Sequence, residues 1–155
     1  MSNIVENKMS ATVPTYDIVS AVELNQGNLV VLGVQDMTTN IGVYTVAAPG
    51  AITDLNMVLV SCVPISYEAE KVEGDFKLVV GQIGRARQPY KGMEVTIEDA
   101  QITGATVKDQ YVIPAASVKM AAAAALGGTE TVAFQVKEKT TINGVAASKL
   151  LCIKA

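Results

Sequence analysis

Histidine and tryptophan are missing from this chain, cysteine occurs twice and phenylalanine twice. Each scarcity excludes something. Without histidine, neither a Ser/His/Asp nor a Cys/His catalytic arrangement can be built, and the commonest general base and transition-metal ligand are both gone. The two cysteines, Cys62 and Cys152, are too far apart in sequence for the short-spaced clusters that hold zinc. No Asp-x-Asp-x-Asp-Gly calcium loop occurs, so neither a metal nor another cofactor is expected.

Charge is also scarce. Asp, Glu, Lys and Arg make up 17% of the residues, against roughly a quarter in an ordinary globular chain. The net charge is −3 and the only arginines are Arg85 and Arg87, so no basic patch suited to several phosphates is visible and direct nucleic-acid binding is not expected. No uninterrupted apolar run reaches the length of a membrane-spanning helix, and Met1 to Met9 is too polar for a Sec-type signal, so no membrane association is expected.

What the chain does have is aliphatic bulk. Half of its 155 residues are hydrophobic but only 5% are aromatic, and mean hydropathy is +0.33. That is enough for one domain with a real core, with apolar surface left over for a partner. Cys62 and Cys152 each lie in an apolar run, which suits two buried, reduced strand cysteines; a disulfide between the strands is the alternative.

Short β-branched segments separated by Gly, Pro, Asn or Asp predict an all-β sandwich or barrel-like domain. The expected strands are Leu29 to Leu32, Gly42 to Ala47, Met57 to Val63, Met93 to Ile97, Tyr111 to Ile113, Val118 to Ala122, Thr131 to Lys137 and Lys149 to Ile153. Two of them are introduced alike, by Gln26-Gly27-Asn28 and by Lys91-Gly92-Met93, where glycine supplies a turn conformation that other residues adopt with strain. Met120 to Leu126, nearly all alanine, has high helix propensity. Equally, Val118 to Ala122 can run extended and pair with Thr131 to Lys137 across Gly127-Gly128.

Residues 1–15 are read as an extended N-terminal arm and residues 16–155 as one β-rich domain. Within it, Tyr67 to Pro89 is the least strand-like stretch and is expected to be a loop or short-helix excursion that meets a neighbouring subunit. Its charged residues Glu68, Glu70 and Lys71, together with Arg85 and Arg87, are the candidate partner contacts, the arginines through charge-assisted hydrogen bonds to carboxylates. Gly81-Gln82-Ile83-Gly84 lacks the Gly-Lys-Ser/Thr ending of a phosphate loop. The carboxylate pairs Glu98-Asp99, read as a solvated turn, and Glu68 with Glu70, read as a surface pair, are not expected to catalyse, and the chain is expected not to be an enzyme.

Several groups of residues, in order, resemble the capsid decoration, or cement, proteins of tailed bacteriophages. They include Leu24-Asn25-Gln26-Gly27-Asn28-Leu29-Val30-Val31-Leu32-Gly33, Val43-Tyr44-Thr45-Val46-Ala47-Ala48-Pro49, Gly84-Arg85-Ala86-Arg87, Lys91-Gly92-Met93-Glu94-Val95-Thr96-Ile97 and Tyr111-Val112-Ile113-Pro114. The resemblance implies a non-enzymatic virion protein, made in the host cytoplasm and bound to the outer surface of the head. Its partners would be the major capsid protein, whose subunits it bridges, and other copies of itself. A receptor- or glycan-binding module displayed on a virion, or another phage head or tail structural protein, is the alternative.

Overall fold

The computed structural model describes residues 4–8, 14–61 and 77–155. The described chain is all-β. Its strands in order are β1 (Ile4–Lys8), β2 (Thr15–Ser20), β3 (Leu24–Asn25), β4 (Leu29–Gln35), β5 (Tyr44–Ala47), β6 (Met57–Val60), β7 (Lys77–Leu78), β8 (Ile83–Arg87), β9 (Glu94–Glu98), β10 (Ile102–Thr103), β11 (Tyr111–Ala115), β12 (Ser117–Ala123), β13 (Ala133–Ile142) and β14 (Val145–Lys154). A 3-10 turn, Asp99–Gln101, joins β9 to β10.

The strands form two bodies. One is a closed barrel in the order β2-β5-β4-β6-β8, and the other a 7-stranded sheet in the order β1-β9-β14-β13-β11-β12-β10. The short pair β3-β7 stands apart from both sheets. Two strands serve both bodies, because successive side chains on a strand point to opposite faces. Val30, Val58 and Val60 belong to the barrel core with Ile18, Leu24, Val46, Leu78 and Ala86. Leu29, Met57 and Leu59 belong instead to the second core, with Val95, Ile97, Val112, Met120, Phe134, Val136 and Leu150 of the sheet. Every residue of β6 is therefore buried, and it reads as a continuous apolar run rather than an alternating one.

One turn recurs at strand entries. Asn28, Val43, Gln82, Met93 and Gln110 each donate their N–H to the carbonyl three residues earlier. The residue before each donor, Gly27, Gly42, Gly81, Gly92 or Asp109, has positive φ, the pattern of a type II turn. A strand begins one residue after each donor, giving β4, β5, β8, β9 and β11. The likeness read at Gly27 and Gly92 is thus a general device of this chain. At Gly27 it has a second use: a Cβ there would come within 2.6 Å of Ile97 Cγ2, so the missing side chain lets the barrel close onto β9.

The hairpin β13-β14 turns on Asn143 and Gly144, both at positive φ, which is the type I′ geometry that matches strand twist.

One open choice is decided and two expectations are corrected. The alanine run is extended through Ala123, since β11 and β10 on either side supply the ladder hydrogen bonds that override its helix propensity. β12 does not pair with β13, because β11 lies between them. The described part of the 67–89 stretch is not an excursion: it contains β7 and β8, and β8 closes the barrel by pairing with β2 and β6. Its inward residue Ala86 is small and fully buried while Ile83 and Arg85 are exposed, so the apolar face of the strand was carried by almost no hydrophobic bulk.

Candidate interaction site

β4 and β5 continue past the barrel as a hairpin finger. Along β4, burial falls from Leu29 and Val30 to the exposed Gly33, Val34 and Gln35. The register of the pair shifts between Leu32 and Gln35, which leaves Val34 without its regular ladder partners. Thr45 replaces them: its hydroxyl accepts the Val34 N–H at 3.1 Å and donates to the Val34 carbonyl at 3.2 Å. Gly33 is required beside it, since a Cβ would lie 2.8 Å from Thr45 Oγ1 and 3.0 Å from the Thr45 carbonyl oxygen.

The loop at the fingertip is wound around one carboxylate. Asp36 accepts N–H bonds from Thr38 at 2.8 Å, Thr39 at 3.2 Å and Asn40 at 2.9 Å, and a hydroxyl bond from Thr38 at 3.1 Å. Its own backbone donates to Val43 and accepts from Gly42. The N–H groups of Asn40, Thr38 and Thr39 hold the Asp36 carboxyl down at about 2, because each is a donor to the charged form. Asp36 is the only charged residue between Val34 and Val43, and its charge is turned inward on the loop.

Among the exposed polar residues Gln35, Thr38, Thr39 and Asn40, the finger also exposes three large apolar side chains. Val34 is 78% exposed, Met37 67% and Ile41 73%. Leu55, also exposed, leaves the barrel beside the root of the finger, where the next residue, Asn56, accepts the Leu32 N–H. Its loop is pinned in the same manner, with Gly50 and Ala51 N–H groups on the Asp54 carboxylate at 2.6 and 3.1 Å. A rigid backbone presenting large apolar side chains loses little entropy on docking, which suits it to a protein partner.

The candidate contacts expected from sequence do not gather here. Arg85 stands opposite Asp17 across β8-β2, with its Nε 3.6 Å from the Asp17 carboxylate, so its first partner is within the chain. Arg87, half-buried, ends β8 opposite Thr15 and Leu59. Glu68, Glu70 and Lys71 lie outside the described residues, as does Cys62. Cys152 is a buried free thiol. The finger was missed because Met37 and Ile41 are isolated apolar residues in a polar loop. The legible signal was Asp36 followed by Thr38, Thr39 and Asn40, the composition of a side-chain-capped turn.

One polar cluster resembles catalytic machinery. Lys139 Nζ donates to Asp99, to Thr106 Oγ1 and, at 3.0 Å, to Ser148 Oγ, while Ser148 Oγ donates to Asp99 at 2.6 Å and meets Thr106 Oγ1 at 2.7 Å. A Ser–Lys pair catalyses only through a neutral amine with a free lone pair. Here the amine makes as many contacts as an ammonium has donors, and Ser148 is fully buried. Burial pushes the Asp99 carboxyl up, but hydrogen bonds from Lys139 and Ser148, the Lys139 charge and Thr106 outweigh it and hold the group below its usual range. The cluster works as a clasp between the 3-10 turn and the β13-β14 hairpin. Glu98, expected in a solvated turn, is instead buried at the end of β9.

Among the described residues no group of His, Cys, Asp and Glu could hold a metal ion, and no helix is long and apolar enough to cross a membrane. Compared with protein-family models, with curated proteins and with solved structures, the chain finds no match.

Proposed function

We propose that this chain is a capsid decoration protein of a tailed bacteriophage, a non-enzymatic component of the virion that sits on the outer surface of the head and bridges major capsid subunits. The observation that carries the reading is the β4-β5 finger, whose exposed Val34, Met37 and Ile41 stand on a backbone fixed by Asp36 and Thr45. The low charge of the chain and the resemblance of its sequence segments to decoration proteins support the same reading. On a symmetric shell each copy adds a modest interface, and repetition over the lattice multiplies the effect.

The test is binding to expanded capsids that lack the protein. Wild type saturates them and raises their disruption temperature, whereas Met37→Asp with Ile41→Asp folds normally and binds at least tenfold more weakly. Failure of wild type to bind at saturating concentration defeats the proposal.

A further inference from the structure

The long hairpin outruns its own sheet on one side. β11 lies along the outer side of β13 but pairs with it only at Phe134 and Gln135. Its last bonds there run from the Val136 N–H to the Gln110 carbonyl at 2.8 Å and from the Asp109 N–H to the Val136 carbonyl at 2.7 Å. β13 continues to Ile142, still paired with β14 but with no described strand on its other side. Lys137 to Thr141 are all exposed. The two-residue turn at Asn143-Gly144 makes Ile142↔Val145 a hydrogen-bonded pair, and bonding alternates along an antiparallel ladder. The N–H and C=O groups of Lys139 and Thr141 therefore point away from β14, and among the described residues no backbone group meets them.

Such an edge is a template for one more strand. Lysine often guards an edge of this kind, but Lys139 is drawn off it: its Nζ is held by Asp99, Thr106 and Ser148. The edge also fits itself. Its free stretch, Glu138 to Ile142, is centred on Thr140, so two copies running antiparallel about Thr140 use the whole stretch of both. That register sets Thr140 opposite Thr140, Lys139 opposite Thr141 and Glu138 opposite Ile142, with no like charges facing. Each Lys139–Thr141 pair joins residues whose backbone groups point outward and exchanges both of its bonds. The two Lys139 side chains lie diagonal to one another, each already paired with its own Asp99. An axis at Glu138 or Lys139 would set like charges directly opposite, and one at Thr141 would run the partner strand onto Asn143, which has positive φ in the turn.

We propose that β13 pairs edge to edge with β13 of a second copy, antiparallel about Thr140, so that the 7-stranded sheets of the two copies join into one. The two-fold axis passes through Thr140, and the contact is isologous, the same edge serving on both sides. The inference does not rest on the capsid reading, because dimerisation is measured on the protein alone.

Sedimentation equilibrium of the full chain tests it. Wild type is expected to dimerise. Thr141→Pro removes an outward N–H at an edge position, where proline is tolerated, and should weaken the dimer at least tenfold with an unchanged circular dichroism spectrum. Single cysteines in a Cys62→Ser background read the register, and they decide alone if the proline variant alters the spectrum. At the axis the two Cα atoms form a non-hydrogen-bonded pair about 4.5 Å apart, within reach of a disulfide, so Thr140→Cys should cross-link two chains on mild oxidation. Two Thr141→Cys chains lie two residues out of step and should not. Wild type that stays monomeric up to millimolar concentration, which would leave the edge to a strand of another protein, overturns the proposal. So does a dimer indifferent to Thr141→Pro, or cross-linking of Thr141→Cys as readily as of Thr140→Cys.

Discussion

The side-chain amide of Asn28 donates to Gln101 Oε1 at 3.2 Å, and both residues are buried. This bond joins the start of β4 in the barrel to the 3-10 turn of the sheet, 73 residues away in sequence. Asn28 Oδ1 also accepts the Asn25 N–H at 2.8 Å, so one side chain sets the turn into β4 and ties the two bodies together. Asn28→Ala leaves Gln101 and the Asn25 N–H without these partners in a dry place, which costs about 2–4 kcal/mol by the usual penalty for orphaned buried groups. Chemical denaturation should show that loss, and Asn28→Asp, which cannot donate to Gln101, should recover only part of it.

Gly27 and Gly92 separate two costs. Both have positive φ, so replacement by alanine costs about 1–2 kcal/mol in backbone strain at either site. Only Gly27 faces an obstruction, Ile97 Cγ2 at 2.6 Å, while nothing lies within 4 Å of a Cβ at Gly92. Gly27→Ala should therefore be the more destabilising by a further ~1–3 kcal/mol, read from the midpoints of urea unfolding.

Thr45 is the hinge pin of the finger. Thr45→Val keeps the size of the side chain but removes both bonds to Val34; because the site is solvated, the loss in global stability is about 1 kcal/mol. Amide exchange at Val34 and capsid affinity should respond more strongly than the melting temperature does. Thr45→Ser should restore both.

The fingertip should resist acid. Asp36 titrates at about 2 in the folded chain against an ordinary 3.8, so its depressed folded value means that the stabilisation is fully present above the ordinary carboxylate range. It is lost as the pH falls through about 2. Exchange protection of the Thr38, Thr39 and Asn40 amides should hold at pH 4 to 5 and fade only near pH 2; Asp36→Asn should weaken it already at neutral pH. Protection that fades around pH 4 would show that the carboxylate does not organise the loop.

Cys152 should be unreactive in the native protein. Burial pushes its thiol up to about 11, outweighing the lowering effect of a hydrogen bond with the Lys154 backbone, so almost no thiolate exists at neutral pH. In a Cys62→Ser background, alkylation at pH 8 should follow the unfolding rate. Rapid labelling without denaturant would mean that β14 opens locally.

The strands whose inward side chains are large were legible in the sequence. β4, β5, β6, β9, β11, β12, β13 and β14 each overlap an expected segment, since Val, Ile, Leu and Phe on a pleated face leave a readable pattern. β2 and β8 were not, and they pair with each other. Asp17 and Arg85 face outward as an exposed ion pair, and the inward Ala86 is too small to register. The stretch at 1–15 contains a strand at Ile4–Lys8, paired antiparallel with β9 from Ile4↔Ile97 to Lys8↔Glu94 with a register shift between Glu6 and Lys8, which local periodicity did not announce.

By itself, the sequence determined that histidine-based chemistry is excluded, the β class and the positions of the turns, because side-chain type and backbone permission at Gly27, Gly42, Gly81 and Gly92 are local properties. Only the tertiary structure decided which apolar residues are spent on the core and which remain outside. Val30 and Val34 are the same residue four positions apart on one strand, yet the first is buried in the barrel and the second stands on an exposed finger. Burial depends on what the rest of the chain brings alongside, and no local pattern carries that information.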